Sequence, residues 1–276
     1  MIGNYYASFR RFRNIYRFAV FTIKSHTLCG KTQKPPMEPL KILLIATSHE
    51  KLGDTGRKTG VWLEELACPY FIFRDAGAKI TLASPNGGPI PLDPKSESII
   101  VANSYTKKFL KDPEVMSLLA HPVALDTVSA INFDLVLVAG GHGALWDLAE
   151  NGALTYLLED FSRQHKLIAA VCHGVAALAP LRNTDGEWLV KGRQLTAFSD
   201  NEEKSAGLTD AVPFLLESRL VSLGARYSKA ADHTSHTVTD GRIITGQNPS
   251  SSAELARKIL LFMKLNAPIP ENFALN

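Results

Sequence analysis

Two short apolar runs, each ending in a glycine-containing turn, constrain this chain more than any other feature. Phe133 to Leu148 reads FDLVLVAGGHGALWDL, and Lys166 to Pro180 reads KLIAAVCHGVAALAP. Leu135 to Ala139 runs into Gly140-Gly141-His142-Gly143, and Leu167 to Val171 runs into Cys172-His173-Gly174. Unbroken apolar runs of this length suit strands buried on both faces, as in parallel sheets. A cysteine between such a strand and an Ala-rich, helix-prone stretch sits where α/β enzymes hold a nucleophile. The tight turn lifts the side chain above the carboxyl ends of the strands, and the glycine lets the backbone turn without a clash. A helix N-terminus behind it favours the thiolate.

The rest of the chain alternates strand and helix signals. Lys41 to Ala46 and Ala78 to Ala83 read as further strands. Val61 to Arg74 has helical spacing, with Pro69 expected to end or kink it. Pro113 to Ala120, Thr155 to Gln164 and Ser250 to Leu265 read as helices, the last with Ser250, Ser251 or Ser252 as N-cap. Val212 to Leu223 is a helix that Gly224 should close. Glu187 to Val190 and Gln194 to Ala197 suggest two short strands. Asp240-Gly241, between two β-prone runs, marks a hairpin. The expected architecture is α/β: a flavodoxin-like, mostly parallel sheet with helices on both faces and the nucleophile on a strand-turn-helix elbow.

Of the 276 residues 45% are hydrophobic and 21% charged, which is ordinary globular composition. Three cysteines, Cys29, Cys68 and Cys172, are too few and too odd in number for a disulfide scaffold, and point to a reducing, cytoplasmic compartment. Residues 1–37 hold seven Lys or Arg and no acid, which leaves the remainder with 23 basic and 27 acidic residues. The folded part therefore offers no basic surface for nucleic acid. Residues 1–39 read as a basic extension or leader, which leaves targeting open, with Met37 as an alternative start. Residues 40–268 read as one domain and 269–276 as a tail. No apolar stretch reaches the roughly 18–20 residues that span a bilayer.

Cys172 is the candidate nucleophile, and His173 the candidate base or acid beside it. Backbone N–H groups of the Gly140–Gly143 turn, one strand away, can face the same cleft and hold an oxyanion. Cys68, before Pro69, reads as a packing residue. Asp232, His233 and His236 lie close in sequence, but on a strand positions 233 and 236 face opposite sides, so no metal site is expected.

Together with KILLIATSHE, TGVWLEELACPYFIFRDAGAKITLASPNGG, TAFSDNEE and TDGRIITGQNPSSS, these segments resemble the ThiJ/PfpI superfamily in its usual order. TGVWLEE resembles the branch that contains heat-shock chaperone/glyoxalase III proteins. The resemblance implies that Cys172 is the nucleophile and that Glu65 is a protonated carboxyl hydrogen-bonded to its sulfur, with Glu64 facing solvent. It also implies that His173 is the adjoining imidazole, that Gly141 and the His173 backbone N–H form the oxyanion hole, and that Glu203 orients the imidazole. Glu202 and Asp200 are alternatives for that last role.

The implied activity is that of a glyoxalase III of the lactate dehydratase class. Methylglyoxal or glyoxal becomes lactate or glycolate through a Cys172 hemithioacetal, without glutathione, metal or organic cofactor, and deglycase activity is an extension of the same chemistry. The implied partners are a small dicarbonyl and a second copy of the chain. Two other readings compete: a cysteine amidase or peptidase with the same residues, and a stress-response holdase or redox sensor using Cys172 oxidation.

Overall fold

The computed structural model describes residues 38–266. The expected leader, apart from Glu38 and Pro39, and the whole of the expected tail lie outside the described residues. β1 (Lys41–Ile45), β2 (Lys79–Ser84), β3 (Val123–Ala124), β4 (Leu135–Val138) and β5 (Leu167–Val171) are all parallel. β6 (Gln194–Leu195) and β7 (Arg226–Tyr227) form a small separate sheet. β8 (Thr237–Asp240) and β9 (Ile243–Gly246) make a hairpin whose second strand joins β5 in parallel. The main sheet runs β3-β2-β1-β4-β5-β9-β8, with β8 as its antiparallel edge.

The helices are α1 (Leu63–Asp75), α2 (Ser104–Phe109), α3 (Pro113–Ala120), α4 (Ala144–Asp147), α5 (Gly152–Arg163), α6 (Asp200–Ser205), α7 (Leu216–Ser222) and α8 (Ser252–Leu265). Successive strand residues point to opposite faces, and each face has its own core. Leu43, Ile45, Val136, Val138, Ile168 and Ala170 pack with Leu154, Leu158 and Phe161 of α5. Ile42, Leu44, Leu135, Leu137, Leu167 and Ala169 pack with α1 and with Leu255 and Ile259 of α8. That two-sided burial is why β1, β4 and β5 read as unbroken apolar runs, and it is the α/β architecture the sequence implied.

Several elements differ from their sequence signals. Pro69 lies inside α1, which continues to Asp75. The proline removes one backbone donor at a cost of about 3 kcal/mol. Tyr70, Phe71 and Phe73 are all buried just beyond it, at roughly 1.5–3 kcal/mol for a large apolar side chain, so burial outweighs the lost bond. Glu187 to Val190 is a turn with a single bridge, Arg182 to Trp188, and Gln194 to Ala197 contracts to β6. α7 starts only at Leu216, beyond Pro213.

The hairpin forms where Asp240-Gly241 signalled it, but Asp240 pairs with Ile243, so Gly241 and Arg242 make the turn. Gly241 carries the positive φ, 57°, as a turn with glycine at its first central position requires. At α8 the serines do not cap by side chain. Ser251 bonds Asn248 and the His236 carbonyl instead, and Asn248 closes the preceding 3-10 turn.

Candidate active site

β4 and β5 end side by side, and their turns build the floor of a pocket of about 460 Å³ lined by Trp62, Gly141, His142, Cys172, His173 and Phe198, among others. Cys172 follows β5 directly with φ 56°, in the left-handed region, where a non-glycine residue costs roughly 1–2 kcal/mol. This is the strained elbow that turns the sulfur out of the sheet. The segment after it, Cys172–Leu178, is a 3-10 helix rather than the α-helix its alanines suggested. The short 3-10 run offers less of an aligned dipole to the sulfur than an α-helix would.

Two glycines make the elbow possible. Gly174 approaches β4 so closely that a Cβ there would lie 2.6 Å from the Val138 oxygen and 2.7 Å from the Ala139 oxygen. Gly141 has φ 91°, and a Cβ on it would meet the Gly60 oxygen at 2.3 Å. Because the obstructing atoms are backbone, we expect Gly174→Ala to lower stability by about 2 kcal/mol or more, read as a reduced urea midpoint at unchanged slope.

The sequence-selected residues converge on this floor. His173 Nδ1 is 3.4 Å from Cys172 Sγ, and His173 Nε2 is 2.8 Å from Glu203 Oε2. Glu65, fully buried on α1, accepts a 2.7 Å hydrogen bond from the Gly140 N–H through Oε2. Its other oxygen, Oε1, is sealed from solvent and has no hydrogen-bond partner among the described residues, so the expected bond to the Cys172 sulfur is not formed, although the carboxyl and the thiol are close enough to influence each other's ionisation. Glu64 is half-buried and accepts from Asn103 Nδ2 at 2.8 Å. Gly141 lines the pocket, and its N–H meets no protein acceptor among the described residues.

Glu202 and Asp200 are engaged elsewhere. Glu202 accepts from Ser199, His233, Gln247 and Asn248, and Asp200 from Ser218. His233 sits in a turn with φ 58°, not on a strand, and lines the pocket, while His236 Nε2 contacts Ser228 Oγ at 3.1 Å. Cys68 is buried against Asn103, and burial pushes its thiol up to about 12.

Burial sets the protonation states. It pushes the Cys172 thiol well above its ordinary value, aided by the neighbouring Glu65, and it pulls His173 down, aided by His142. The resting pair is thus neutral thiol and neutral imidazole, in contrast to the thiolate expected from a helix N-terminus. Burial also pushes the Glu65 carboxyl up to about 8, against the bond from Gly140. At Glu203 burial pushes upward, but the hydrogen bonds from His142 and His173 more than offset it and hold the carboxyl well below its usual range.

His142 is the site residue that sequence reasoning passed over. It served there only as part of a glycine-rich turn, yet its Nε2 is 2.8 Å from Glu203 Oε1. The one available signal was a histidine at the carboxyl end of a buried strand, next to the strand that carries Cys172. Among the described residues, His142, His173 and Glu203 are also a group that could offer a metal-ligand set, their ligand atoms lying within 4.8 Å of one another. Their N···O contacts of 2.8 Å are hydrogen-bond lengths, shorter than the ~3.3 Å ligand-to-ligand edge of a tetrahedron with metal–ligand bonds of about 2.0–2.1 Å. In this geometry the carboxylate binds two imidazoles rather than all three binding an ion.

Residues 58–261 match the model of the DJ-1/PfpI family. The chain belongs to this family. It is 31% identical over 236 residues to Glyoxalase 3 of Candida albicans, covering 82% of this chain and 100% of that one. It is 31% identical to the glutathione-independent glyoxalase hsp3101 of Schizosaccharomyces pombe, covering 79% and 95%. Among solved structures, the Rapid Encystment Protein 24 KDa of Francisella tularensis superposes with a TM-score of 0.76 at 39% identity, covering 80% of this chain and 97% of that one. Among the described residues of this DJ-1/PfpI member, no helix is long and apolar enough to cross a membrane.

Proposed function

We propose that this chain is a glutathione-independent glyoxalase of the glyoxalase III type, turning methylglyoxal and glyoxal into lactate and glycolate. One observation carries the reading: a nearly sealed thiol, 2% exposed, stands between a neutral imidazole and a carboxyl raised to about 8, at the floor of a small apolar pocket. The relatives' glyoxalase names support it.

His173 Nδ1 takes the Cys172 proton as the sulfur adds to the aldehyde carbon C1, and returns it to the new oxygen O1. That oxygen sits against the N–H groups of Gly141 and His173. The product is a hemithioacetal. Glu65 then carries the C1 hydrogen to C2 as a proton, through an enediol. With its carboxyl at about 8, roughly one molecule in ten is ionised at pH 7 and able to act as the base. The result is a lactoyl thioester on Cys172, and water releases lactate and the free thiol. The sequence is an internal redox isomerisation followed by hydrolysis, so it calls for no external oxidant or reductant.

The burial of the thiol weighs against a peptidase. A peptide must lay an extended backbone across the nucleophile, whereas Cys172 is 2% exposed at the floor of its pocket. Incubating the purified protein with methylglyoxal, with no glutathione present, should yield lactate in step with methylglyoxal loss. Absence of lactate together with cleavage of peptide substrates would overturn the reading. We also propose that the enzyme works as a homodimer in a reducing compartment, the first part of which light scattering of the full chain tests directly.

A further inference from the structure

The Glu203 carboxylate grips two imidazoles, one with each oxygen, and only one of them touches the nucleophile. His173 Nε2 meets Oε2 and His142 Nε2 meets Oε1, both at 2.8 Å, and the two rings lie 4.2 Å apart. An ionised carboxylate can only accept hydrogen bonds, so both Nε2 atoms carry hydrogen, and each ring in its neutral form presents a bare Nδ1. His173 directs its Nδ1 at Cys172 Sγ. His142 lines the pocket next to Gly141, and its Nδ1 has no partner among the described residues. That atom is not sealed either: the unpartnered side-chain atoms shut off from solvent among the described residues are Glu65 Oε1 and Thr196 Oγ1.

We propose that His142 is a second catalytic base, which relays the hydroxyl proton between the two substrate oxygens during the rearrangement. The proposal rests on the glyoxalase reading and adds a task that reading leaves open. Converting the hemithioacetal to the thioester moves two hydrogens. The one on C1 goes to C2, and the one on O1 goes to O2. As Glu65 takes the C1 hydrogen, His142 Nδ1 takes the O1 proton and delivers it to O2, so that the C2 ketone becomes the C2 hydroxyl and, once Glu65 returns its proton to C2, C1–O1 stands as the thioester carbonyl. One proton enters and one leaves, so the ring ends as it began.

Glu203 also sets the order of events. One carboxylate neutralises one imidazolium, and two cations 4.2 Å apart oppose each other. His173 must hand back the thiol proton before His142 takes its own. The shared carboxylate thus couples two proton transfers that follow each other in time.

His142→Gln tests this, because the glutamine amide can still donate to Glu203 while the ring lone pair is lost. Expected is a fall in kcat for methylglyoxal on the order of 10²-fold with KM changed less than threefold. Alkylation of Cys172 by iodoacetamide should stay within about threefold of wild type, since the His173–Cys172 contact remains and the loss of His142 only eases its downward pull on His173. Turnover within twofold of wild type would overturn the proposal. So would parallel losses in turnover and alkylation, which would make His142 a positioning residue. In ¹⁵N-histidine spectra of the wild-type protein at neutral pH, His142 should show a bare Nδ1 and a protonated Nε2, and the opposite tautomer would also overturn it. The glyoxalase reading fails separately, through a wild-type protein that makes no lactate while the spectra still report the tautomer.

Discussion

Cys172→Ala should abolish lactate formation from methylglyoxal, by about 10³-fold or more, while leaving the protein folded. The loss is large because covalent addition opens the route. Without the sulfur, neither the hemithioacetal nor the thioester can form, and His173 and Glu65 have no adduct to act on. Stability should follow another rule. The residue is held at φ 56° whatever its side chain, so alanine keeps the strain and glycine releases it. Cys172→Gly should therefore melt above Cys172→Ala by a few degrees, corresponding to about 1 kcal/mol. Both variants are inactive, so their melting difference isolates the backbone of the elbow. Residual turnover within tenfold of wild type would remove Cys172 as nucleophile. A Cys172→Ala protein that kept any holdase activity of the wild type would show that role to be independent of the site.

The architecture was readable because a strand buried on both faces has to be apolar throughout. β1, β4 and β5 therefore stand out in the sequence, and the elbow follows from where β5 stops. The shorter elements were harder to read. β6 is a two-residue pairing fixed by β7, which lies some thirty residues further on, and nothing local announces it. α1 carries Pro69 because its neighbours bury three aromatic rings, a tertiary effect that helix propensity does not contain.

The site shows the same division. Cys172 and His173 are adjacent in the chain, and their turn is visible in the sequence. Glu65 and Glu203 come from α1 and α6 and could be chosen over Glu64, Glu202 and Asp200 only through the family resemblance. What separates them physically is where each helix places its carboxyl. Glu65 reaches Gly140 beside β4, while Glu202 is taken up by Ser199, Gln247 and Asn248. The role of His142 depends on a carboxylate 61 residues away, and no spacing rule connects the two.

Glu65→Gln should separate chemistry from stability through pH. The Glu65 carboxyl, raised to about 8 from an ordinary 4.5, binds its proton more tightly in the folded protein than in the unfolded one. Its contribution to stability is therefore complete below about pH 4.5 and is lost progressively as pH rises toward 8. Oε2 accepts from the Gly140 N–H, so the proton sits on Oε1, the oxygen that has no other partner. Glutamine can keep the bond to Gly140 and cannot ionise, so the variant should escape this loss. Its melting temperature should match wild type near pH 5 and exceed it at pH 8–9 by on the order of 5–10 °C, a gap of a few kcal/mol. Turnover should fall by roughly 10²–10⁴-fold at every pH, because the C1 proton has lost its carrier. A melting difference that stays flat from pH 5 to 9 would mean that Glu65 is already ionised in the resting protein. The pocket would then present a carboxylate to the sulfur, and the base that takes the C1 hydrogen would be ready in nearly every molecule at neutral pH rather than in about one in ten.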